Sequence, residues 1–465
     1  MKYLRESLNG RIFAATVMIA GIGSVVKGVS LGKEMLVSRY LGAGDALDAF
    51  YVAFLLPTFM VGIIVSACNE AFVPTYIEVR ENEGVDAAQR VFASVAVVNV
   101  AVLIGLGFVL AGSQRWLLPL LGSGFSPTKV ALTRALFFIL LASLFVSGLN
   151  ALWRAALNAH EYFALTAIAP IAIPIMTTIL LLVSPLQWRI YGLVTGTLAG
   201  VACELVILGC ALRRQGLALV PRWSGFDWRL LQVLKQATPS AAAGILMGCT
   251  SLIDQSMAAM LHSGSVSALN YANKLIPVLL GIGSSSLSVA VLPALSRLSA
   301  RRDWQGVHRI VSTYTRIIFL VGVPATVILI ALSEPIVRMV FQGGAFTSQN
   351  THLVASVQSL LCLEVPFYAA AMLCVSALCA LKRNDVLIWG TTIAVVENVV
   401  LNYLFMKMFG LAGIALSTSL VYMTAFLYLR LMLGRALKMR ETASVGLGEP
   451  LISYGLGSVA ENPAE

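Results

Sequence analysis

Lys27, Lys33 and Glu34 lie in one apolar run, VVKGVSLGKEMLVSRYLGAGDALDAF, which carries Asp48 near its end. A second run holds Asn273 and Lys274, and two later ones hold Glu364 and Glu397. A charge at mid-bilayer costs about 2.5–3.5 kcal/mol on insertion scales, so such residues face a bundle interior or a wet cavity. Lysine meets phosphate as a point charge. Lys27, Lys33 and Lys274 therefore read as a cationic pocket for an anion such as a phosphate or pyrophosphate, with Asp48 positioning a cation. The competing reading is snorkelling, with Lys33 and Arg39 reaching an interface and Lys27 paired to Glu34 or Asp48 as structural glue. Glu364, followed by Pro366, and Glu397, next to Asn398, could carry a coupling cation or proton, or could bond a neighbouring helix.

The elements that hold these residues are set by composition. The chain of 465 residues is 58% hydrophobic and 12% charged, with mean hydropathy +0.86. Soluble domains carry about a quarter charged residues, so lipid is the expected solvent. Apolar runs long enough to cross about 30 Å of hydrocarbon recur along the sequence. They do not alternate as barrel strands would. The expected fold is an all-α polytopic membrane protein of twelve spans, near 12–38, 47–76, 91–111, 131–156, 163–184, 191–211, 237–261, 267–295, 313–332, 352–380, 386–406 and 411–433.

Glycines 28 and 32 permit a bend in the first span, and Pro57 and Pro277 a break in the second and eighth. Of the 32 lysines and arginines, 21 lie on one side, in 1–11, 80–90, 213–235, 297–309, 382–383 and 430–440 and at Arg154, while the opposite loops hold 7. The positive-inside rule places both termini in the cytoplasm. The basic excess is thereby explained by topology, and nucleic acid is not an expected partner. Residues 441–465 are expected to form a loose cytoplasmic tail.

An internal repeat divides the chain into 1–220 and 221–440. GAGDALDAFYVAFLLP and HSGSVSALNYANKLIP align Gly44 with Gly264, Tyr51 with Tyr271 and Pro57 with Pro277. Phe125 aligns with Phe346, Gly192 with Gly413 and Thr197 with Thr418. Two six-helix halves in one orientation are a transporter architecture, with the site between them and rocking of one against the other as the motion. Enzymatic readings find no support. GIGSVVKG lacks the P-loop pattern, no HExxH occurs, and no exposed loop gathers carboxylates. The seven cysteines form no CxxC and read as packing, so neither metal, disulfide nor cofactor is expected.

The motifs GAGDALDAFYVAFLLP…EAFVPTYIE, SGSVSALNYANKL and NVVLNYLFMKMFGLAGIALSTSL resemble those of the MurJ/MviN-type lipid II flippases of the MOP transporter superfamily. The resemblance implies a MATE-like fold at the bacterial inner membrane. It implies a carrier that flips an undecaprenyl-pyrophosphate-linked oligosaccharide, either a peptidoglycan precursor or an exopolysaccharide or O-antigen unit. Membrane lipids and envelope-synthesis enzymes are the partners it brings with it. Functional arginines of that family fall on Lys27, Lys33 and Lys274, with the acid before the last falling on Asn273. A further arginine pair falls on Val61 and Gly62. Two alternatives remain beside it: a cation-coupled multidrug-type exporter using Glu364 or Glu397, and a structural partner in an envelope complex.

Overall fold

The computed structural model describes residues 8–217, 223, 225, 227–275 and 295–446. The described structure is helical, as a bilayer demands of a chain that must satisfy its own backbone donors and acceptors. The first half holds α1 (Leu8–Leu41), α2 (Asp45–Ala67), α3 (Val73–Glu83), α4 (Val85–Leu121), α5 (Pro127–Ala159), α6 (Phe163–Ile168), α7 (Ala172–Val183) and α8 (Arg189–Arg214). The second half holds α9 (Trp228–Ala258), α10 (described over 265–275), α11 (Trp304–Phe341), α12 (Ser348–Cys362), α13 (Glu364–Ala380), α14 (Asn384–Phe409) and α15 (Leu411–Gly446).

Among the described residues, 9 segments are long and apolar enough to cross a membrane. They coincide with nine of the expected spans, the α2–α3, α6–α7 and α12–α13 pairs each counting once. α1, with 34 residues, and α9, with 31, occupy the expected first and seventh spans. At 1.5 Å per residue each is about 45–50 Å long. The eighth expected span is described only to residue 275, so Pro277 lies outside the described residues. α1 is continuous helix through Gly28 and Gly32.

Local chemistry explains the interruptions. Pro57 lies inside α2 and offers no N–H; the next residue, Thr58, bonds the Phe54 carbonyl at 2.8 Å. Between α2 and α3 the helix widens into a π-turn over Cys68–Phe72, just before Pro74, which cannot donate to the preceding turn. A short 3₁₀ segment over Ala169–Ile171, with Pro170 in it, joins α6 to α7.

Close helix contacts repeat in both halves. A Cβ on Gly196 would stand 2.7 Å from the Thr177 Cα, and one on Gly200 2.5 Å from the Ile173 Cα, so α8 seats on α7 through small residues. Gly192 faces Ser184 there, and Gly413 faces Phe405 between α15 and α14. The repeat offset of 221 relates one pair to the other. α15 continues as helix to Gly446, well beyond Arg435, where the sequence loses its apolar stripe. The rest of the expected tail lies outside the described residues.

At the end of the bundle where α3 meets α5, the Tyr76 hydroxyl pairs with His160 Nε2 at 2.8 Å. Arg80 donates to the Ala159 carbonyl at 3.0 Å. Burial, and then the neighbouring Arg80, hold the His160 imidazole below its usual range.

Candidate functional site

The two halves meet on one carboxylate. Glu34, on the buried face of α1, accepts Lys33 Nζ at 2.5 Å on Oε1. The same oxygen accepts Lys274 Nζ from α10. Lys274 also donates to the Tyr51 hydroxyl of α2 at 3.0 Å and lies over that ring. Glu34 is only 5% exposed, and its Oε2 has no hydrogen-bond partner. The two lysine side chains keep 20% and 30% of their surface. The cluster carries two ammoniums on one carboxylate, hence a net positive charge that remains partly open. Ion pairs as buried as this one hold only when every partner stays; removing one strands a charge and costs about 3–5 kcal/mol.

At the end of the bundle bearing residues 42–44, the halves are sewn together. Asp48 of α2 is 1% exposed and caps the start of α10. It accepts from Gly264 N at 2.7 Å, Ser267 N at 2.8 Å and Ser267 Oγ at 2.6 Å. Lys129 of α5 completes the cluster, at 2.8 Å from Asp48 and 2.7 Å from Asp45, over the Phe125 ring. Around it, Ala345 N donates to the Arg39 carbonyl at 2.8 Å, and the Tyr271 hydroxyl donates to the Gly42 carbonyl at 3.2 Å. Gly42 has φ +63° and Gly264 φ +86°; a Cβ on either would meet a carbonyl oxygen of the opposing turn, at 2.5 and 2.7 Å. Only glycine accepts both that backbone and that proximity.

At the opposite end Arg229 of α9 clasps Glu83 of α3 and Asp227. Gln232 reaches Glu78 at 3.3 Å.

A second polar centre lies wholly in the second half. Asp254 of α9 accepts Asn398 Nδ2 at 3.0 Å and Asn402 Nδ2 at 2.6 Å, both from α14. The asparagines are four residues apart, on one helix face, and are 1% and 0% exposed. Thr418 of α15 and Glu364 of α13 stand within electrostatic reach of Asp254. Among the described residues, Asp254 has no cationic partner.

The structure brings Lys33, Lys274 and Glu34 together, as the sequence reading expects for the lysines. Lys27 is exposed on the same helix and makes no ion pair among the described residues. Asn273 is exposed next to Lys274. Asp48 departs from its expected place in the lysine pocket: helix capping and Lys129 occupy both its oxygens. Glu397 accepts the Thr424 hydroxyl at 2.6 Å, a bond within the second half. Lys129, assigned by sequence to a loop, is buried. Asp254 stands out in the sequence as a charge in an apolar run, but its pairing with Asn398 and Asn402 is what sequence reasoning did not find, although the NVVLN spacing carried its signal.

A protein-family model described as lipid II flippase MurJ matches residues 37–448. A probable lipid II flippase MurJ of Vibrio cholerae serotype O1 is 25% identical over 441 residues, covering 92% of this chain and 83% of that protein. One from Rhizobium tropici is 27% identical over 419 residues, covering 86% and 76%. The lipid II flippase MurJ of Burkholderia cenocepacia is 24% identical over 426 residues, covering 87% and 80%. Among solved structures, a lipid II flippase MurJ in an inward closed conformation superposes with TM-score 0.76 at 20% identity, over 93% of this chain and 94% of that one. An inward-facing multidrug resistance MATE transporter of the MOP superfamily superposes with TM-score 0.70 at 15% identity, over 92% and 99%. The structural likenesses establish the fold.

Proposed function

The chain belongs to the lipid II flippase MurJ family, and from that premise we propose that it carries lipid II from the cytoplasmic to the outer leaflet of the bacterial inner membrane. The observation that carries this reading is the carboxylate shared across the halves: Lys33 and Glu34 come from α1, and Lys274 from α10. A pyrophosphate bears the charge that two ammoniums on one carboxylate leave unmatched. Binding it competes with Glu34 for both lysines, so the anion loosens the contact that ties the halves. That is the property alternating access needs: the ligand must interact differently with the two states.

In this reading the basic loops face the cytoplasm, and the glycine turns lie at the outer side. The seam of Asp48, Gly264 and Ser267 then closes the outer exit, and the Arg229–Glu83 clasp lies on the cytoplasmic side. Asp254, half-buried among neutral amides, is an anionic seat for a coupling cation.

The test is a leaflet-accessibility assay in proteoliposomes with defined lipid-linked sugars. Lipid II is expected to become accessible on the far leaflet with the parent protein and not with Lys33→Ala. Transport of only an exopolysaccharide or O-antigen unit would overturn the cargo; transport of neither would overturn the function.

A further inference from the structure

Four polar side chains form one patch on the α9–α10 helix pair, and Lys274 is one of them. The Asn270 amide of α10 donates to the Gln255 carbonyl oxygen of α9 at 3.2 Å and to the Val266 carbonyl at 2.9 Å. The Gln255 amide donates at 3.2 Å to the Ser251 hydroxyl, one turn away on the same face of α9. Lys274 stands one turn beyond Asn270 on α10. In the antiparallel pair, the Gln255–Asn270 bond therefore sets Ser251 level with Lys274. Four residues of helix put the two levels about 6 Å apart.

The patch looks into the cleft between the halves. A Cβ on Gly248 would stand 2.6 Å from the Phe59 ring of α2, and Ser251 and Gln255 follow Gly248 on that face of α9. On α10, Lys274 reaches across to Glu34 of α1 and Tyr51 of α2. Gln255 and Asn270 are half-buried, and Ser251 is exposed. A carboxamide offers two N–H donors and a carbonyl with two lone pairs. Among the described residues, one Gln255 N–H and the Asn270 carbonyl oxygen have no partner.

The first half shows that such a helix pair does not need these groups. At the repeat offset of 220, Ser251, Gln255, Asn270 and Lys274 become Leu31, Met35, Phe50 and Phe54. All four are apolar, and the rings of Phe50 and Phe54 stack with centroids 5.6 Å apart. The polar version of the patch is confined to the second half, beside the lysines.

We propose that Ser251, Gln255 and Asn270 form a sugar subsite, which hydrogen-bonds the sugar attached to the pyrophosphate. The inference rests on Lys33 and Lys274 holding that pyrophosphate, as in the function proposed above. The chemistry selects the occupant. Uncharged donors and acceptors one helical turn from a phosphate-binding ammonium match the hydroxyl and acetamido groups of a sugar. A further phosphate would call for cations at this place, and a polyprenyl tail would leave the amides unpaired. A site built to bond such groups discriminates against a ligand that lacks them.

The experiment compares lipid II with undecaprenyl pyrophosphate, which has no sugar, as ligands of the purified full-length protein in native mass spectrometry. The parent is expected to bind lipid II about tenfold more tightly. Gln255→Met, which keeps the length and removes the amide, and Asn270→Leu should each weaken lipid II about fivefold and leave undecaprenyl pyrophosphate at the parent affinity. Ser251→Ala should weaken lipid II less. Equal weakening of both ligands would assign the amides to positioning Lys274 and overturn the subsite. Parent affinity for lipid II in both amide variants would overturn it as well, with the pyrophosphate site left standing. A parent protein that binds neither ligand would overturn the pyrophosphate site itself, and the subsite with it. Should the amide variants fail to fold, Ser251→Ala, altered at an exposed side chain, carries the test: unchanged lipid II affinity there refutes the subsite.

Discussion

Glu34 and Asp254 occupy the same place in the two repeats, 220 residues apart, and their surroundings are opposite. Glu34 is held by two lysines, one from each half. Asp254 is held by two asparagines of its own half. The first carboxylate is over-neutralised and lies at the interface; the second is left negative and lies inside one bundle. One acidic position recurs at the repeat offset, and the partners decide what each can attract. In the function proposed above, cationic surroundings make the first an anion site and neutral ones make the second a cation site. The halves can therefore serve different ions while sharing one backbone plan.

The sharpest way to break that contrast is Lys274→Ala. It removes the only ion pair to Glu34 that crosses the interface among the described residues. We expect flipping to fall at least about thirtyfold, in line with 2–5 kcal/mol for truncating a buried charge pair; membrane insertion, read by protease protection, should persist. Activity within a few-fold of the parent would remove the anion site from Glu34. Asp254→Asn comes next. Stimulation of flipping by an imposed sodium gradient should fall about tenfold, the scale of a 1–3 kcal/mol coupling energy, while lipid II binding by native mass spectrometry stays put. Exchanging both Lys33 and Lys274 for arginine sharpens the comparison from the other side. Charge is kept and the planar fork is added, so substrate binding should tighten by a few-fold with sodium dependence unaltered. The smallest effect belongs to Glu397→Gln, which keeps an acceptor for Thr424. A fall of about 1 kcal/mol or less in stability, with flipping unchanged, is expected from thermal unfolding in detergent.

Periodicity and composition made the spans legible, because a bilayer leaves a helix as the only way to satisfy so apolar a backbone. Lys33 and Lys274 could be picked out because charge in such runs is expensive. That both close on Glu34 could not be read, since adjacent residues in a helix do not face each other and Lys274 lies 240 residues away. Asp48 shows the same limit. Its position near the start of α2 is visible in the sequence, but its partners, Gly264 and Ser267, arrive only when the halves close. Asp254 is visible as a charge in an apolar run, but its partners are uncharged, and a search for charge in the membrane passes over asparagine.

The glycine turns have a practical consequence. At Gly42 and Gly264 the closed seam has no room for even a methyl group, and the backbone there is one that other residues resist. In the orientation proposed above, an alanine at either position would act as a doorstop, holding the outer side ajar while leaving Lys33, Glu34 and Lys274 unsubstituted. The same pair of positions thus offers a means of trapping the opposite transport state for structure determination, with no inhibitor or antibody required.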